Sequence, residues 1–291
     1  MPDVWSHIVL GKEMQKTAPA KMKELIADHG NLYAFACQGP DFLFYHTYLC
    51  PWDQKMTTVG RRIHQDKVSA MLLCGIKKVL SLKKAGKNWQ SLAVYMLGAV
   101  AHWAADSAVH PLIYSIVPEE NPLRKNRHKR AEMTLDMLLL QKYGLIGDDR
   151  ARNLRLSQGL PEEVCDYYGK CVTALWRDMP YLSPIEIKRS YRHFIQFMEA
   201  TEQRNSAYRF TQTLAMLSGG ILRFDWFWYP EQLASEEVLP LETLLDEVTA
   251  KAIARGRRAQ EAMWSYWQGE GSLKAVQETL PEISYANRKM P

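Results

Sequence analysis

The segment AVAHWAADSAVHP sets His102, Asp106 and His110 four residues apart. In an α-helix each step of four residues turns about 400°, so the three side chains stay within roughly 80° of arc and form one stripe. At about 1.5 Å of rise per residue the two histidines stand about 12 Å apart along the axis. That is too far to share one zinc ion, whose bonds to nitrogen are about 2.0–2.1 Å. Asp106, about 6 Å from each, can share an ion with either, and its two oxygens let it bridge two. The spacing points to a multinuclear metal site.

A second stripe follows at His128 and Glu132, again four apart, with Asp136 extending it. One imidazole and one carboxylate on a neighbouring helix would complete a site begun by His110. Upstream, His64 lies in GRRIHQDK, Asp41 in a Gly39-Pro40-Asp41 turn, and His7 just after Trp5 and Ser6. An aspartate and two histidines buried together without a metal would leave costly unpaired polar groups. A helical His-Asp dipeptide and an HExxH segment are both absent from the sequence, which excludes the adjacent His-Asp phosphohydrolases and the metzincins.

The elements that must carry these residues are helical. Apolar periodicity predicts helices over roughly 20–29, 58–84, 90–117, 125–143, 161–178, 184–199, 201–222 and 241–268. Alternating runs with hairpin turns are missing. Prolines 51, 118, 122, 161, 184 and 240 are read as lying in connectors or first turns. The stretch FACQGPDFLFYHTYLCPW reads as an aromatic loop that lines something or closes a core. RKNRHKR (124–130) is a short basic patch at a helix start. The expected class is all-α. Candidate ligands spread from His7 to Glu132 must meet in one core, so a single domain over 1–291 is expected, with the metal motifs in 1–136 and helical completion in 137–291.

Bulk properties bound the rest. The chain has 291 residues, 37 basic against 32 acidic, a net charge of +5, 47% hydrophobic and 24% charged residues. These are ordinary globular values and exclude a collagen, a disordered tail or a disulfide scaffold. The mild positive charge admits an anionic ligand but lacks the clustered excess of a dedicated nucleic-acid binder. Five cysteines (Cys37, Cys50, Cys74, Cys165, Cys171) form no CxxC pair and are expected to be buried free thiols of a reducing cytosol. The N-terminus shows no secretory pattern. The most apolar stretch, Leu92 to Ala105, is shorter than the roughly 20 residues of a membrane span. A cytoplasmic location is expected, with no transmembrane segment and peripheral membrane contact allowed.

The motifs VWSH, CQGPDFLFYH, the isolated His64, HWAADSAVHP and HKRAE resemble, in order, those of the zinc-dependent phospholipase C and P1-nuclease group. The likeness is nearer to its intracellular bacterial branch, related to the phospholipase C/D domain. The resemblance covers residues 1 to about 136 and implies an all-α fold with a zinc cluster. It assigns Asp41, His64, His102 and Asp106 to one zinc and His110, His128 and Glu132 to a second, with His7 and the shared Asp106 at a third. Secreted members use a processed N-terminal tryptophan at that third metal; here Trp5 is internal. Two zinc ions are therefore expected and the third is left open.

The implied reaction is phosphodiester hydrolysis by a metal-activated hydroxide, with Asp41 orienting the water or taking its proton. Asp136 and Asp66 are candidates to steer imidazoles. Phe42, Tyr45 and Trp103 are candidate substrate contacts, with Phe44 and Tyr48 near them. A phospholipid is the preferred substrate, ahead of single-stranded nucleic acid or a small phosphoester. A different class stays open: a non-catalytic, metal-stabilised helical module that binds lipid or protein. FDWFWYP (224–230) and WSYW (264–267) would form its surface.

Overall fold

The computed structural model describes residues 4–46, 52–117, 124–144, 150–202 and 235–286, with single helical positions at 210, 213 and 217. Among these residues the chain is all-α, with twelve α-helices and no strand. They are α1 (Val4–Gln15), α2 (Ala20–Ala27), α3 (Gly30–Ala36), α4 (Lys55–Gln65), α5 (Val68–Lys84) and α6 (Gln90–Ile116). After them come α7 (Arg124–Lys142), α8 (Arg150–Leu154), α9 (Glu162–Leu175), α10 (Pro184–Ala200), α11 (Ser235–Gln268) and α12 (Leu273–Thr279). A 3-10 turn spans Asp41–Leu43.

The centre of the fold is α6. Every residue from Ser91 to His110 is buried, so this helix is apolar all round, as a helix sheathed by others must be. Its length and composition would also suit a membrane span, but its apolar window lies wholly inside the protein. Helices α1, α3, α5, α7, α9 and α11 pack around it. The α3–α6 crossing is close: a Cβ at Gly98 would stand 2.4 Å from Ala36 Cβ and 2.8 Å from its backbone. Glycine there brings the end of α3, and the turn carrying Asp41, against the His102, Asp106 and His110 stripe of α6.

Local sequence fixes the other elements. Helix α10 starts on a capping box, with Ser183 and Glu186 satisfying each other's backbone donors and Pro184 at the first helical position. Lys55 of α4 pairs with Glu186 at 2.5 Å. Expected helix 58–84 is two helices, broken where Asp66 is extended and Lys67 takes a left-handed φ of 51°. Helix α11 begins at Ser235 rather than 241, which puts Pro240 inside it instead of in a first turn. The aromatic loop is partly ordered as α3 and the 3-10 turn. Helices α1, α8 and α12 carried no prediction. Most of expected helix 201–222, FDWFWYP, Tyr48 and Cys50 lie outside the described residues.

Two expectations are corrected. Cys74 and Cys171 form a disulfide between α5 and α9, while Cys37 and Cys165 are free and buried. The surface role for WSYW does not hold: Trp264 and Trp267 are buried, and Trp267 Nε1 donates to Ile76 O at 3.0 Å.

Candidate metal centre

The sequence-marked residues come from five pieces of chain: His7 from α1, Asp41 from the 3-10 turn, His64 from the last turn of α4, His102, Asp106 and His110 from α6, and His128 and Glu132 from α7. They meet in three groups whose candidate ligand atoms lie within 4.8 Å of one another: His7, His102 and Asp106; Asp41, His64 and His102; His110, His128 and Glu132. His102 is common to the first two. Asp106 reaches His7 Nε2 at 3.4 Å with Oδ1 and His102 Nε2 at 3.4 Å with Oδ2. Its Oδ1 also stands 3.9 Å from His110 Nδ1, toward the third group.

Backbone carbonyls orient the rings. A carbonyl oxygen only accepts, so each imidazole nitrogen facing one must carry its proton. His64 Nδ1 donates to Gly60 O at 2.7 Å, His102 Nδ1 to Cys37 O at 3.1 Å, and His110 Nδ1 to Asp106 O at 3.0 Å. In the neutral ring that leaves each Nε2 as a lone pair, the form a metal ligand takes, fixed by its outer partner. At two of these positions the lone pair looks at carboxylate oxygen. His64 Nε2 is 2.8 Å from Asp41 Oδ1, and His102 Nε2 is 3.7 Å from the same oxygen. The His64–Asp41 pair is at hydrogen-bond distance, so a shared proton or a metal cation would satisfy it.

Burial sharpens the point. His102 and Asp106 are each 0% exposed. His102 Nε2 and both Asp106 oxygens make no hydrogen bond among the described residues. Desolvation holds the His102 imidazole well below the usual histidine range, with the neighbouring His7 adding to it, and does the same to His110. Burial first, and then the Asp41 charge, push the Asp106 carboxyl well above the usual carboxylate range. Orphaned buried acceptors around neutral imidazoles fit a hard or borderline dication with N and O ligands, which zinc is.

Supporting parts were partly legible. Asp136 does not act as a simple extension of its stripe. It accepts from Trp5 N at 2.8 Å, from Ser6 N at 2.7 Å and from the Ser6 hydroxyl. A carboxylate on those first amides of α1 caps the helix and so sets His7, the next residue. Asp66 binds Trp176 Nε1 at 3.0 Å and Arg62 at 3.3 Å, outside the cluster. Gly39 was unmarked beyond its turn: its φ is 52°, and a Cβ there would sit 2.2 Å from the His102 ring, so only glycine lets the turn close on that imidazole.

The proposed substrate contacts need correction. Phe42 and Trp103 are each 0% exposed. Phe42 packs on Phe35 and Tyr168, and Trp103 lies under the Arg255 guanidinium. Both are core and out of reach of a ligand. Tyr45 is half-buried against Phe194 and Phe197. Tyr285, which sequence reading passed over, lies on the centre, its ring 4.7 Å from His64 and 5.1 Å from His102. A Ser190, His46 and Asp53 line-up exists elsewhere, with His46 Nε2 donating to Asp53 at 3.0 Å. Ser190 is 0% exposed, so it serves packing and not nucleophilic attack.

A family model described as zinc dependent phospholipase C matches residues 6–212. Neither the curated proteins nor the solved structures contain a significant match to the chain.

Proposed function

Because the chain belongs to the zinc-dependent phospholipase C family, we propose that its three-group cluster is a zinc centre for phosphoester hydrolysis, with a phospholipid as the preferred substrate. The observation that carries this reading is the set of imidazoles whose Nδ1 faces a backbone carbonyl while Nε2 faces a buried carboxylate.

Asp41, His64 and His102 would hold one zinc and His110, His128 and Glu132 another. His7 and Asp106 would hold a third ion, since the single Nε2 lone pair of His102 serves only one metal. The first two groups each offer three protein residues, the pattern of a catalytic zinc that keeps a position for water or substrate, whereas structural zinc is closed by four. This favours an enzyme over a metal-stabilised scaffold. Bound zinc would supply Lewis acidity, drawing charge from a phosphate oxygen and lowering the pKa of a water toward neutrality.

The chain's own residues do the rest. Asp41 has the most accessible of the three carboxylates, its side chain 8% exposed against 4% for Glu132 and 0% for Asp106. It is the proposed catalytic carboxylate, orienting the attacking water and taking its proton. Asp106 holds the groups in register. The imidazoles keep their ligand face because their other nitrogen is already committed. Water adds to phosphorus, the bond to the glycerol oxygen breaks, and that oxygen leaves with a proton. A lipid substrate would require peripheral membrane contact; single-stranded nucleic acid and small phosphoesters are the competing substrates. The proposed location is cytoplasmic, and the Cys74–Cys171 bond stands against it, since disulfides persist in oxidising compartments. Fractionation of the native host tests it.

The function is tested by a chelator-controlled screen of phosphatidylcholine vesicles, single-stranded DNA and a small phosphate diester. The expected result is release of phosphocholine that chelator abolishes and zinc restores. Hydrolysis unaffected by chelator, or none on any substrate, would contradict the reading.

A further inference from the structure

The C-terminal arm after α12 returns to the metal centre from beyond the stretch that matches the family. Ser69 at the start of α5 anchors it, through Ser69 Oγ to Pro281 O at 2.8 Å and Ser69 N to Glu282 Oε1 at 3.4 Å. The break between α4 and α5 leaves the last carbonyls of α4 without helical donors, and Tyr285 N donates to His64 O at 3.3 Å. These contacts seat Tyr285 with its ring against His64 and His102. The residue is 3% exposed, but its hydroxyl is not fully enclosed and forms no hydrogen bond among the described residues, so it is open to a ligand. Nearby Tyr95 and Tyr168 differ, their hydroxyls bonding each other at 2.6 Å and Gly39 O.

We propose that Tyr285 is a catalytic residue whose hydroxyl donates a hydrogen bond to a phosphate oxygen of the substrate held at the Asp41, His64 and His102 group. This rests on the reading of the centre as a phosphoester site. A phenolic O–H is a hydrogen-bond donor of the kind a phosphate oxygen accepts. A donor aimed at an oxygen that gains charge in the transition state contributes to rate more than to ground-state binding.

The test compares the zinc-loaded full chain with Tyr285→Phe, which keeps the ring and removes only the hydroxyl. Zinc content by elemental analysis and far-UV circular dichroism should be unchanged. Inorganic phosphate binding by calorimetry should weaken about tenfold, and kcat on the responsive substrate should fall by about 10–100-fold. Equal phosphate affinity and equal kcat in the two proteins would overturn the inference and leave the zinc centre standing. A higher kcat in Tyr285→Phe would overturn it too, marking the arm as a plug. A wild-type chain that takes up neither zinc nor phosphate would sink the reading of the centre and the role of Tyr285 with it.

Discussion

Asp106 shows how one residue can be both the asset and the liability of the site. It is fully buried, and desolvation raises its carboxyl well above the usual range. A group whose folded pKa is raised loses stability for the fold as pH climbs from its unfolded value, about 3.9, toward the folded one. Zinc reverses that sign by stabilising the anion. Asp106→Asn is therefore expected to behave oppositely in the two states. Without metal it should unfold at higher urea than wild type by at least about 1 kcal/mol, and with zinc it should hold less metal and unfold earlier. Equal metal content in the two proteins would show that Asp106 shares no ion. The histidines act from the other side. His102 and His110 have depressed values, so the unfolded chain takes up protons first, and the metal-free fold weakens as pH falls below about 6.5. Spacing revealed five of the eight ligand candidates, because i, i+4 and i+8 stripes are local; His7, Asp41 and His64 stood out only as isolated polar residues and through the family resemblance. It could not reveal Gly39 or the Cys37 carbonyl, whose parts are set by how α3 crosses α6, nor separate Phe42 and Trp103 from a ligand surface, since an apolar ring reads alike in core and cleft.

At the scale of elements, the long helices α6, α7, α9 and α10 were readable, α6 as a continuous apolar run and α9 and α10 because periodicity accumulates over several turns. The short α3, α8 and α12 were not, since a helix of two turns owes its stability to packing rather than to pattern. The break at Asp66 and Lys67 lacks glycine and proline, so no local signal marks it. Two element-level devices invite measurement. Glu186 closes the α10 capping box and pairs with Lys55. Its pKa is lowered to about 2: burial opposes this, but the Lys55 and Ser183 hydrogen bonds outweigh it. Its contribution is full above an unfolded value of about 4.3 and is lost as pH falls through about 2. Glu186→Gln should be less stable than wild type at pH 7 by about 1 kcal/mol, with the gap in urea midpoint closing as pH approaches 2. A gap that persists at pH 2 would assign the effect to packing. The disulfide joins residues 97 apart, and closing so long a loop restricts the unfolded chain strongly. Replacing both cysteines with serine should cost about 3–5 kcal/mol of stability, read as an earlier denaturant midpoint. No change would mean that the bond is not formed in the purified protein.

For the whole molecule, the contacts around α6 explain why the candidate ligands are concentrated early while the chain runs on. Ligands between His7 and Glu132 converge only because α9, α11 and the arm after α12 close the core around their helices. We propose that the chain is one domain for this reason. That later half carried no motif, and among the described residues its share in the site became visible through Tyr285, a contact across 221 positions to His64. The central claim is that this enclosure makes a multinuclear zinc centre, and the most direct measurement is zinc stoichiometry by elemental analysis of purified, folded protein after dialysis. The account predicts at least two equivalents per chain, falling in Asp106→Asn. A stable, folded wild-type chain that retains none after zinc has been offered would contradict it.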